Sequence, residues 1–489
     1  MSEAIDCCAA FVAHAQRRPQ APALVYNGQE ISYGDLYDMA RRQQARLEQL
    51  PADPAEPVGI AGKKSPAAVA LILGCLLARR PFLLPSATLG EQLLGELFSQ
   101  AGCRHVLVPD AAEQSPAASW EIETGATLPL PEGAGEISFM LTTSGSTSLP
   151  KVVPLGRDAV NNFIGWAGAA FNIQPGTTVL NYAPLNFDLC LLDIWTTLAH
   201  GGRVVLVDPD RAADGRHLFD LLATYHVHVA QAVPMFYGLL LEAAQRFEQS
   251  FEGVEHVMFT GDAVPEHTLA ELPHLFPKAR FHNIYGCTET NDSFIHEIDP
   301  TGALATPLPI GTPLPGVDAV IVGSDGTVLE GEGDGELYVS TPFQSVGYLD
   351  PARRAAAFVS HPQGDNNRSY FRTGDLVHRD ANGRVHLVGR SDFQVKVRGV
   401  AVNTAEVERV LLEHPSVLEA AVLAQPDSVY GRRLVSAVRR APDSGLNSLT
   451  LRGHCARHLP QAAIPAQLRI VDDPLPKTPT GKVDRNFAV

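Results

Sequence analysis

The sequence has little positive charge for its length. It contains 38 lysines and arginines against 54 aspartates and glutamates in 489 residues, which gives a formal net charge of −16 at pH 7. Proteins that bind the phosphates of nucleic acid carry a clustered basic surface, and no run of lysine and arginine supplies one here. We therefore expect no nucleic acid among the partners, whereas binding of a small anion is compatible with this composition.

The sequence also lacks the patterns of disulfide-linked, zinc-binding and membrane-spanning proteins. Its seven cysteines form no CxxC pair and no Cys/His ligand spacing, which is typical of a reduced, cytoplasmic protein. The longest apolar run, residues 67–78, is shorter than the roughly 20 residues that cross a bilayer. We expect a buried helix there and no membrane partner. The first residues lack the basic start and apolar core of a signal peptide, so the predicted location is cytoplasmic.

The order of apolar segments predicts an α/β fold. Strand and helix patterns alternate over residues 58–108 and again over 179–259, including a predicted helix over 191–199. This alternation favours parallel sheets covered by helices. After residue 300 short, turn-rich strands indicate a β-rich lobe. We predict an N-terminal domain (1–390) with two helix-flanked, mostly parallel sheets plus that lobe, and a small, mobile C-terminal α/β domain (391–489).

One segment has the composition of a polyphosphate-binding loop. An apolar strand at 139–143 leads into small and hydroxylated residues and then a lysine. Small side chains let backbone N–H groups approach an anion, and hydroxyls and a lysine add donors and charge. It is not a Walker A loop, because GxxxxGK[ST] is absent; taken alone, it could also be an ordinary turn. The candidate phosphate ligands are Thr143, Ser144, Gly145, Ser146, Thr147 and Lys151.

Five segments in order resemble the motifs of one enzyme superfamily. TTSGSTSLPK (142–151) resembles the phosphate loop of the adenylate-forming superfamily. That superfamily includes acyl-CoA and aryl-CoA synthetases, luciferases and the adenylation domains of nonribosomal peptide synthetases. The other four segments are NIYGCTE (283–289), YFRTGD (370–375), GRSDFQVKVRG (389–399) and LPKTPTGK (475–482). Among its members the chain is most similar to freestanding amino-acid adenylation enzymes.

The resemblance implies a reaction that joins a carboxylate to ATP, with Mg²⁺ as cofactor, to give an acyl adenylate and pyrophosphate. Both reactants are anionic, so the site must neutralise charge and align them. The implied catalytic residues are Lys482, between the carboxylate and the α-phosphate, and Thr288, a donor to the α-phosphate. Glu289 is the implied Mg²⁺ ligand. Asp392 lies where the family pivots its C-terminal domain between two half-reactions.

The same motifs imply contacts to the nucleoside of ATP. Tyr285 offers an aromatic face for adenine, with Asn283 and Gly286 near the same base. Asp375 can accept two hydrogen bonds from the ribose hydroxyls. Arg390 is the implied partner of a phosphate or of the ribose.

A further segment points to an amino acid as the carboxylate substrate. Residues 186–193, with Trp195 and the glycines at 201–202, resemble the FDxS…W…G stretch of amino-acid adenylation domains, with Cys190 in place of the serine. In those domains the aspartate, here Asp188, pairs with the α-ammonium group. A carboxylate in an otherwise apolar pocket needs such a partner. The alternative is that Asp188 only caps the following helix.

The resemblance also implies which other side chains line the substrate pocket. These positions are Leu189, Leu192, Gln231, Met258, Thr260, Ile284, Asp292 and Ser293. Half of them are apolar and of medium size, so a small or medium substrate side chain is favoured over a bulky aromatic one. If Asp292 faces the pocket, it could hold a second amine; the alternative is that it points to solvent beside Asn291.

The acceptor of the activated group is expected to be a separate molecule. No carrier module with an attachment serine follows Lys482 in this sequence. The acceptor is then a phosphopantetheine-bearing carrier protein supplied in trans, or coenzyme A. Ser148 and Val152 stand where the family often has glycine, and residues 401–403 replace its Arg-Ile-Glu. Two alternatives stay open: an acyl-CoA ligase for a carboxylate that is not an amino acid, and a non-catalytic nucleotide sensor.

Overall fold

The structure is a computed structural model of the chain. The residues that it describes are 5–109, 119–122, 127–131, 134–143, 149–245, 249–262, 264, 266–300, 308–364, 368–390, 394–427, 431–442 and 444–476.

The described residues form 25 strands, numbered here in chain order. The first eight are β1 (Pro22–Tyr26), β2 (Gln29–Ser32), β3 (Val58–Ile60), β4 (Phe82–Leu83), β5 (His105–Leu107), β6 (Ser119–Glu121), β7 (Ile137–Thr143) and β8 (Lys151–Gly156). The next seven are β9 (Thr178–Asn181), β10 (Arg203–Leu206), β11 (Val229–Ala232), β12 (His256–Thr260), β13 (Arg280–Cys287), β14 (Asn291–Ile298) and β15 (Thr312–Pro313). The remaining strands are β16 (Asp318–Val322), β17 (Gly333–Ser340), β18 (Phe358–Ser360), β19 (Ser369–Arg379), β20 (Val385–Arg390), β21 (Gln394–Val397), β22 (Val400–Asn403), β23 (Val417–Asp427), β24 (Gly431–Arg440) and β25 (Gln467–Val471).

The same part of the chain forms twelve α-helices. They are α1 (Cys7–Arg17), α2 (Tyr33–Glu48), α3 (Pro66–Leu77), α4 (Glu91–Gln100), α5 (Arg157–Ala170), α6 (Thr197–Ala199), α7 (Gly215–Tyr225), α8 (Pro234–Ala244), α9 (Glu266–Leu275), α10 (Pro351–Ala357), α11 (Thr404–Leu412) and α12 (Ser448–His458). Leu191–Thr196 is a π-helix, and Pro209–Arg211 and Gln461–Ala463 are short 3₁₀ helices.

Two mostly parallel sheets form the larger part of the structure. The nine-stranded sheet has the order β15-β14-β13-β12-β11-β9-β10-β1-β2. Its strands from β13 to β1 run parallel, and antiparallel strands close both edges. The six-stranded sheet has the order β6-β5-β3-β4-β7-β8, with the four central strands parallel. Strands β9, β11 and β12 are buried along their whole length, as expected for parallel strands covered on both faces.

Helices cover these sheets and enclose separate apolar cores. The largest core joins residues of both sheets with helices α1, α2, α3 and α5, and it buries Phe11, Tyr33 and Phe163. On the opposite face of the nine-stranded sheet, α7, α8 and α9 bury a second core. The apolar run of the sequence is α3, a buried helix that begins where the Ser65 side chain accepts a hydrogen bond from the backbone N–H of Ala68. Among the described helices, none is both long and apolar enough to cross a bilayer.

A β-rich lobe and a small α/β unit complete the structure. Strands β16 to β20 form the antiparallel sheet of the lobe. Strands β23, β24 and β25 pack against α11 and α12 around a core that includes Val410, Leu434 and Leu451. The predicted architecture, with two helix-flanked sheets, a β-rich lobe and a small C-terminal α/β unit, is therefore confirmed.

One helix differs from its prediction, and two threonine side chains explain the difference. The predicted helix over 191–199 begins as a π-helix and becomes α-helical only at α6. The hydroxyls of Thr196 and Thr197 donate to the carbonyls of Leu191 and Leu192, five residues back, at 2.7 and 3.3 Å. These side-chain bonds match the wider π-helical turn, a feature common at functional sites.

Two histidines lie together inside the nine-stranded sheet. The Nδ1 atom of His256 (β12) is 3.1 Å from Nε2 of His282 (β13). The Phe171 ring contacts both imidazoles edge-on, at centroid distances of 5.4 and 5.8 Å. Burial and the neighbouring His256 lower the pKa of His282 to about 4. The folded protein therefore favours a neutral imidazole at position 282.

This pair predicts a loss of stability in mild acid. Between pH 6.5 and about 4 the unfolded chain protonates His282 while the folded chain does not. The unfolded state then binds more protons, so the free energy of unfolding falls as pH falls through this range. Below about pH 4 this difference lowers the free energy of unfolding by about 3 kcal/mol. Urea unfolding of wild type and His282→Asn at a series of pH values measures it.

We expect a shallower pH slope of the unfolding free energy in His282→Asn, whatever the variant's absolute stability. His274→Gln, a substitution at an exposed position of α9, is the control and should keep the wild-type slope. Identical slopes in wild type and His282→Asn would contradict the lowered pKa of His282 as the cause of the pH dependence.

Candidate active site

The candidate site lies where the parallel strands of the nine-stranded sheet end. Thr260 is the last residue of β12, and Ile284 pairs with it near the end of β13. Gln231 near the end of β11 pairs with Met258. In open α/β sheets the carboxyl ends of the strands form the usual ligand-binding crevice. The fold thus brings four predicted pocket residues onto three adjacent strands.

Most of the predicted pocket residues are buried. Gln231, Met258, Thr260, Ile284 and Ser293 are each at most 5% exposed. Leu192 is fully buried on the π-helix, and the three remaining positions, Asp188, Leu189 and Asp292, are partly buried. Met258, Ile284 and Leu192 belong to the core between the two sheets. The face of the sheet toward that core is therefore the wall of the predicted pocket.

A β-bulge shapes the edge of this wall. Tyr285 of β13 pairs with Phe294 of β14, but the next residue, Gly286, pairs with Asp292, so Ser293 has no partner on β13. At Gly286 a Cβ atom would lie 2.3 Å from the backbone oxygen of Asn291. Only glycine permits this approach. The bulge changes the direction of the chain at Asp292 and Ser293, a common device beside active sites.

Asp188 is an acidic group without an ion-pair partner among the described residues. It follows the buried segment at 178–183 and precedes the π-helix. Burial and the charge of Glu289 raise its pKa to about 6, while Lys396 acts in the opposite direction. The carboxylate is thus held in an environment that favours an added cation.

Asp292 is a second such group. Its Oδ2 atom is buried and has no hydrogen-bond partner in the described part of the chain. Burial and the charge of Asp188 raise the pKa of Asp292 to about 8. The buried position of Oδ2 shows that Asp292 does not simply point to solvent beside Asn291.

Glu289 lies at the centre of a hydrogen-bond network beside the predicted phosphate loop. Its Oε1 atom accepts a hydrogen bond from Tyr348 Oη at 2.6 Å and from Thr143 Oγ1 at 3.3 Å. Lys151 Nζ donates to Tyr348 Oη at 3.2 Å and lies 4.8 Å from the centroid of that ring. Thr143 and Lys151 are paired across β7 and β8. The two ends of the predicted phosphate loop therefore meet the predicted Mg²⁺ ligand.

The sequence analysis did not identify Tyr348. It lies 59 positions from Glu289, and the sequence around it signals only a helix start at Asp350-Pro351. Its hydroxyl connects Lys151 to Glu289 and so holds the carboxylate in place.

The residues around Glu289 fit a hard divalent cation. Glu289 is 6% exposed, and Oε2 makes no hydrogen bond among the described residues. Mg²⁺ commonly takes one or two carboxylates and completes its shell with water and substrate phosphates. One carboxylate oxygen beside hydroxyls and a phosphate loop is a suitable donor set.

The predicted nucleoside residues form a second cluster. Asp375 accepts hydrogen bonds from Arg390 Nη1 at 2.6 Å and from Tyr285 Oη at 2.5 Å. Arg390 also donates to the backbone oxygen of Thr373 at 2.9 Å. Asn283 donates to the backbone oxygen of Pro309 at 2.8 Å. Asp375 is thus held rigidly by one cation and one phenol, and each carboxylate oxygen keeps a further lone pair for a ligand.

Thr288 lies in the turn between β13 and β14, directly before Glu289, and is partly buried. The other predicted site residues lie outside the described part of the chain; they are Ser144, Gly145, Ser146, Thr147, Asp392 and Lys482.

Solved structures with this fold include adenylation domains. The Vibrio cholerae adenylation domain AlmE, solved with glycyl-adenosine-5'-phosphate, matches with a TM-score of 0.83 at 20% identity, covering 96% of this chain and 95% of that one. The protein PA1221, which contains adenylation and PCP domains, matches with a TM-score of 0.82 at 24% identity, covering 99% and 83%. At these identities the likeness shows the fold.

Curated relatives are more similar in sequence. The L-proline–[L-prolyl-carrier protein] ligase of Pseudomonas fluorescens is 31% identical over 89% of this chain and 82% of its own length. The D-alanine–D-alanyl carrier protein ligase of Bacillus licheniformis is 27% identical over 96% of both.

Two family models match the chain. The model described as AMP-binding enzyme matches residues 11–349, and the model described as AMP-binding enzyme C-terminal domain matches residues 406–482. The predicted membership of the adenylate-forming superfamily is confirmed, because the match spans more than half of the chain and agrees with its relatives. The chain belongs to the AMP-binding enzyme family.

Proposed function

We propose that this protein activates an amino acid and loads it onto a carrier protein. In the first step the amino acid and ATP give aminoacyl-AMP and pyrophosphate. In the second step the aminoacyl group passes to the phosphopantetheine thiol of a separate carrier protein. The observation that carries this proposal is Asp188, a carboxylate with a raised pKa and no ion pair in the described chain, beside a nucleotide site. The proline and D-alanine carrier-protein ligases among its relatives support the same reaction.

Asp188 selects the substrate in this proposal. An α-ammonium group beside it compensates its negative charge and restores its ordinary ionisation. A carboxylic acid without an amino group would leave Asp188 uncompensated. The penalty for leaving a charged group unpaired exceeds the gain from one added contact, so the site discriminates against simple organic acids.

The phosphates are held from the opposite side of the site. Lys151 and the backbone of the phosphate loop bind the polyphosphate, while Tyr348 and Thr143 orient Glu289. Enzymes of this family generally use ATP and Mg²⁺, and the cation would neutralise the phosphate charge that develops as pyrophosphate leaves. Asp375, fixed by Arg390 and Tyr285, would accept hydrogen bonds from the ribose.

We assign the second step to movement of a C-terminal domain, residues 391–489, against an N-terminal domain, residues 1–390. In the described structure the turn of the hairpin β21–β22 lies beside the end of β12, since a Cβ atom on Gly261 would lie 3.6 Å from Gly399 Cα. A Cβ atom on Gly399 would lie 2.3 Å from Val233 Cγ1, at the end of β11. Lys482 belongs to the same C-terminal unit. A pivot at Asp392 would replace Lys482 in the cleft by the hairpin β21–β22, or the reverse.

The acceptor is proposed to be a carrier protein, with coenzyme A as the alternative. The relatives named above are carrier-protein ligases, which favours the carrier. A cytoplasmic location stays a prediction from the cysteine pattern.

The proposed activity predicts amino-acid-dependent exchange of pyrophosphate into ATP. We expect exchange with one or a few amino acids and none with fatty or aryl acids. Asp188→Asn should lower kcat/KM for the amino acid by roughly 100-fold or more, since it removes the charge but keeps the shape. Exchange rates with labelled pyrophosphate measure this. Intact-mass analysis of a holo carrier protein and of coenzyme A identifies the acceptor.

Asp158→Asn, an exposed position on α5, is the matched control and should keep wild-type exchange. Exchange with organic acids that survives Asp188→Asn would indicate an acyl-CoA ligase. No exchange with any acid, together with ATP binding, would indicate a nucleotide sensor.

Lys482 is predicted to act on the transition state. Its ammonium would bridge the substrate carboxylate and the α-phosphate as charge develops, so Lys482→Ala should reduce exchange by roughly 100- to 1,000-fold. The affinity for ATP should change little. Lys477→Ala, five residues earlier in the same segment, provides a matched loss of one charge. Equal exchange in the two variants would contradict the role of Lys482.

A further inference from the structure

The predicted substrate pocket contains two acidic side chains, and one α-ammonium group can pair with only one of them. Asp188 and Asp292 are electrostatic neighbours. No ion pair within the described residues holds either carboxylate, and Lys396 only partly opposes the charge around Asp188. A single amino group bound at Asp188 would leave Asp292 uncompensated in a poorly solvated position, which is costly.

Another acidic residue in the same region has a cation within reach, and this charge opposes the strong rise in pKa that burial causes at Asp193. Asp193 is fully buried on the π-helix, and its Oδ2 atom accepts a hydrogen bond from Asn181 Nδ2 at 3.0 Å. Lys64 Nζ donates to Asn181 Oδ1 at 3.0 Å. Asn181 therefore relays a buried lysine charge to Asp193.

Lys64 cannot serve Asp292 as well. Its ammonium also donates to the backbone oxygens of Asn181, Tyr182 and Ala183, at 3.0 to 3.1 Å. Four acceptors already surround a group that has three protons. The Lys64 ammonium group is thus already bound near Asp193. Within the described chain, Asp292 has no such cation of its own.

Three buried oxygen atoms around the pocket have no hydrogen-bond partner among the described residues. Gln231, only 1% exposed, leaves Oε1 without a hydrogen bond. Asp292 leaves Oδ2 and Asp193 leaves Oδ1 in the same state. Each of these atoms is an acceptor. Buried acceptors without partners are rare in folded proteins, so this set indicates a ligand that brings hydrogen-bond donors.

We propose that the preferred substrate is a diamino acid, with the α-ammonium at Asp188 and the side-chain ammonium at Asp292. This inference rests on the proposed function, since it names the substrate class of that site. The walls formed by Leu192, Met258 and Ile284 are apolar and closely packed in the core. They suit a short aliphatic chain between the two ammonium groups. The carboxylate of the substrate would remain free to attack ATP.

The raised pKa of Asp292 agrees with this arrangement. An ammonium group beside it would lower the pKa and restore the carboxylate form. The β-bulge at Ser293 also contributes, because it changes the orientation of the chain at Asp292 near the sheet edge.

The test compares substrates of equal shape that differ in one charge. Kinetics of pyrophosphate exchange would be measured with 2,3-diaminopropionate, 2,4-diaminobutyrate and ornithine, each against its uncharged isostere, which is 2-aminobutyrate, norvaline and norleucine respectively. Lysine, alanine and proline would be measured for comparison. We expect at least one diamino acid to exceed its uncharged counterpart by roughly 100-fold or more in kcat/KM. Asp292→Asn should lower the ratio of kcat/KM for the diamino acid to kcat/KM for its uncharged counterpart toward one.

The substrate ratio separates a specific role from a folding defect, because a damaged fold lowers both rates. Asp158→Asn again serves as the control and should keep the wild-type ratio. Alanine or proline as the preferred substrate, with Asp292→Asn lowering all amino acids equally, would overturn this inference and leave the proposed function intact. Absence of exchange with every amino acid would overturn both.

Discussion

Negative charge that the protein does not neutralise by itself is the constraint on which the site depends. Burial and the charge of Glu289 raise the pKa of Asp188, and burial and the charge of Asp188 raise the pKa of Asp292. A protein interior tolerates such groups only with a compensating charge. In our proposal ligands supply it: a divalent cation at Glu289 and substrate ammonium groups at the two aspartates. Binding and folding of the cleft are therefore linked through charge.

The surrounding fold holds these carboxylates at fixed positions. Parallel strands covered by helices bring Gln231, Thr260 and Ile284 to one sheet edge. The π-helix and the bulge at Ser293 both depart from regular geometry, and each carries predicted pocket residues. Irregular elements of this kind commonly redirect side chains at functional sites. Regular sheet and helix thus provide rigidity, and two local irregularities provide the geometry of the pocket.

Much of the architecture could be predicted from sequence because hydrophobic periodicity determines it. The buried helix α3 follows from an apolar run that begins after Ser65-Pro66. The short, turn-rich strand patterns after residue 300 predict the β-rich lobe. The motifs named Glu289, Asp375 and Arg390 as candidates from their spacing in the chain. The structure brings Asp375 and Arg390 into contact, and their roles stay predictions. The boundary at residue 390 stays a prediction because 391–393 lie outside the described residues.

Other features depend on contacts that no sequence pattern encodes. Tyr348 meets Glu289 only after the lobe folds against the sheet, and Lys64 reaches Asn181 across 117 positions. The π-helix requires two threonine hydroxyls to select carbonyls five residues back. The sequence alone could not decide whether Asp292 faces the pocket or solvent. Side chains alternate between the two faces of a strand, but a β-bulge interrupts this alternation. The close approach of Gly286 to Asn291 determines where the bulge lies.

The central claim is that the α-ammonium of the substrate compensates Asp188, and a binding measurement tests it most directly. Calorimetry would compare a non-hydrolysable aminoacyl-adenylate analogue with its counterpart lacking the α-amino group, in wild type and in Asp188→Asn. The account predicts that loss of the amino group weakens binding to wild type by roughly 100-fold and weakens binding to Asp188→Asn far less. An equal loss in both proteins would show that Asp188 does not bind the amino group.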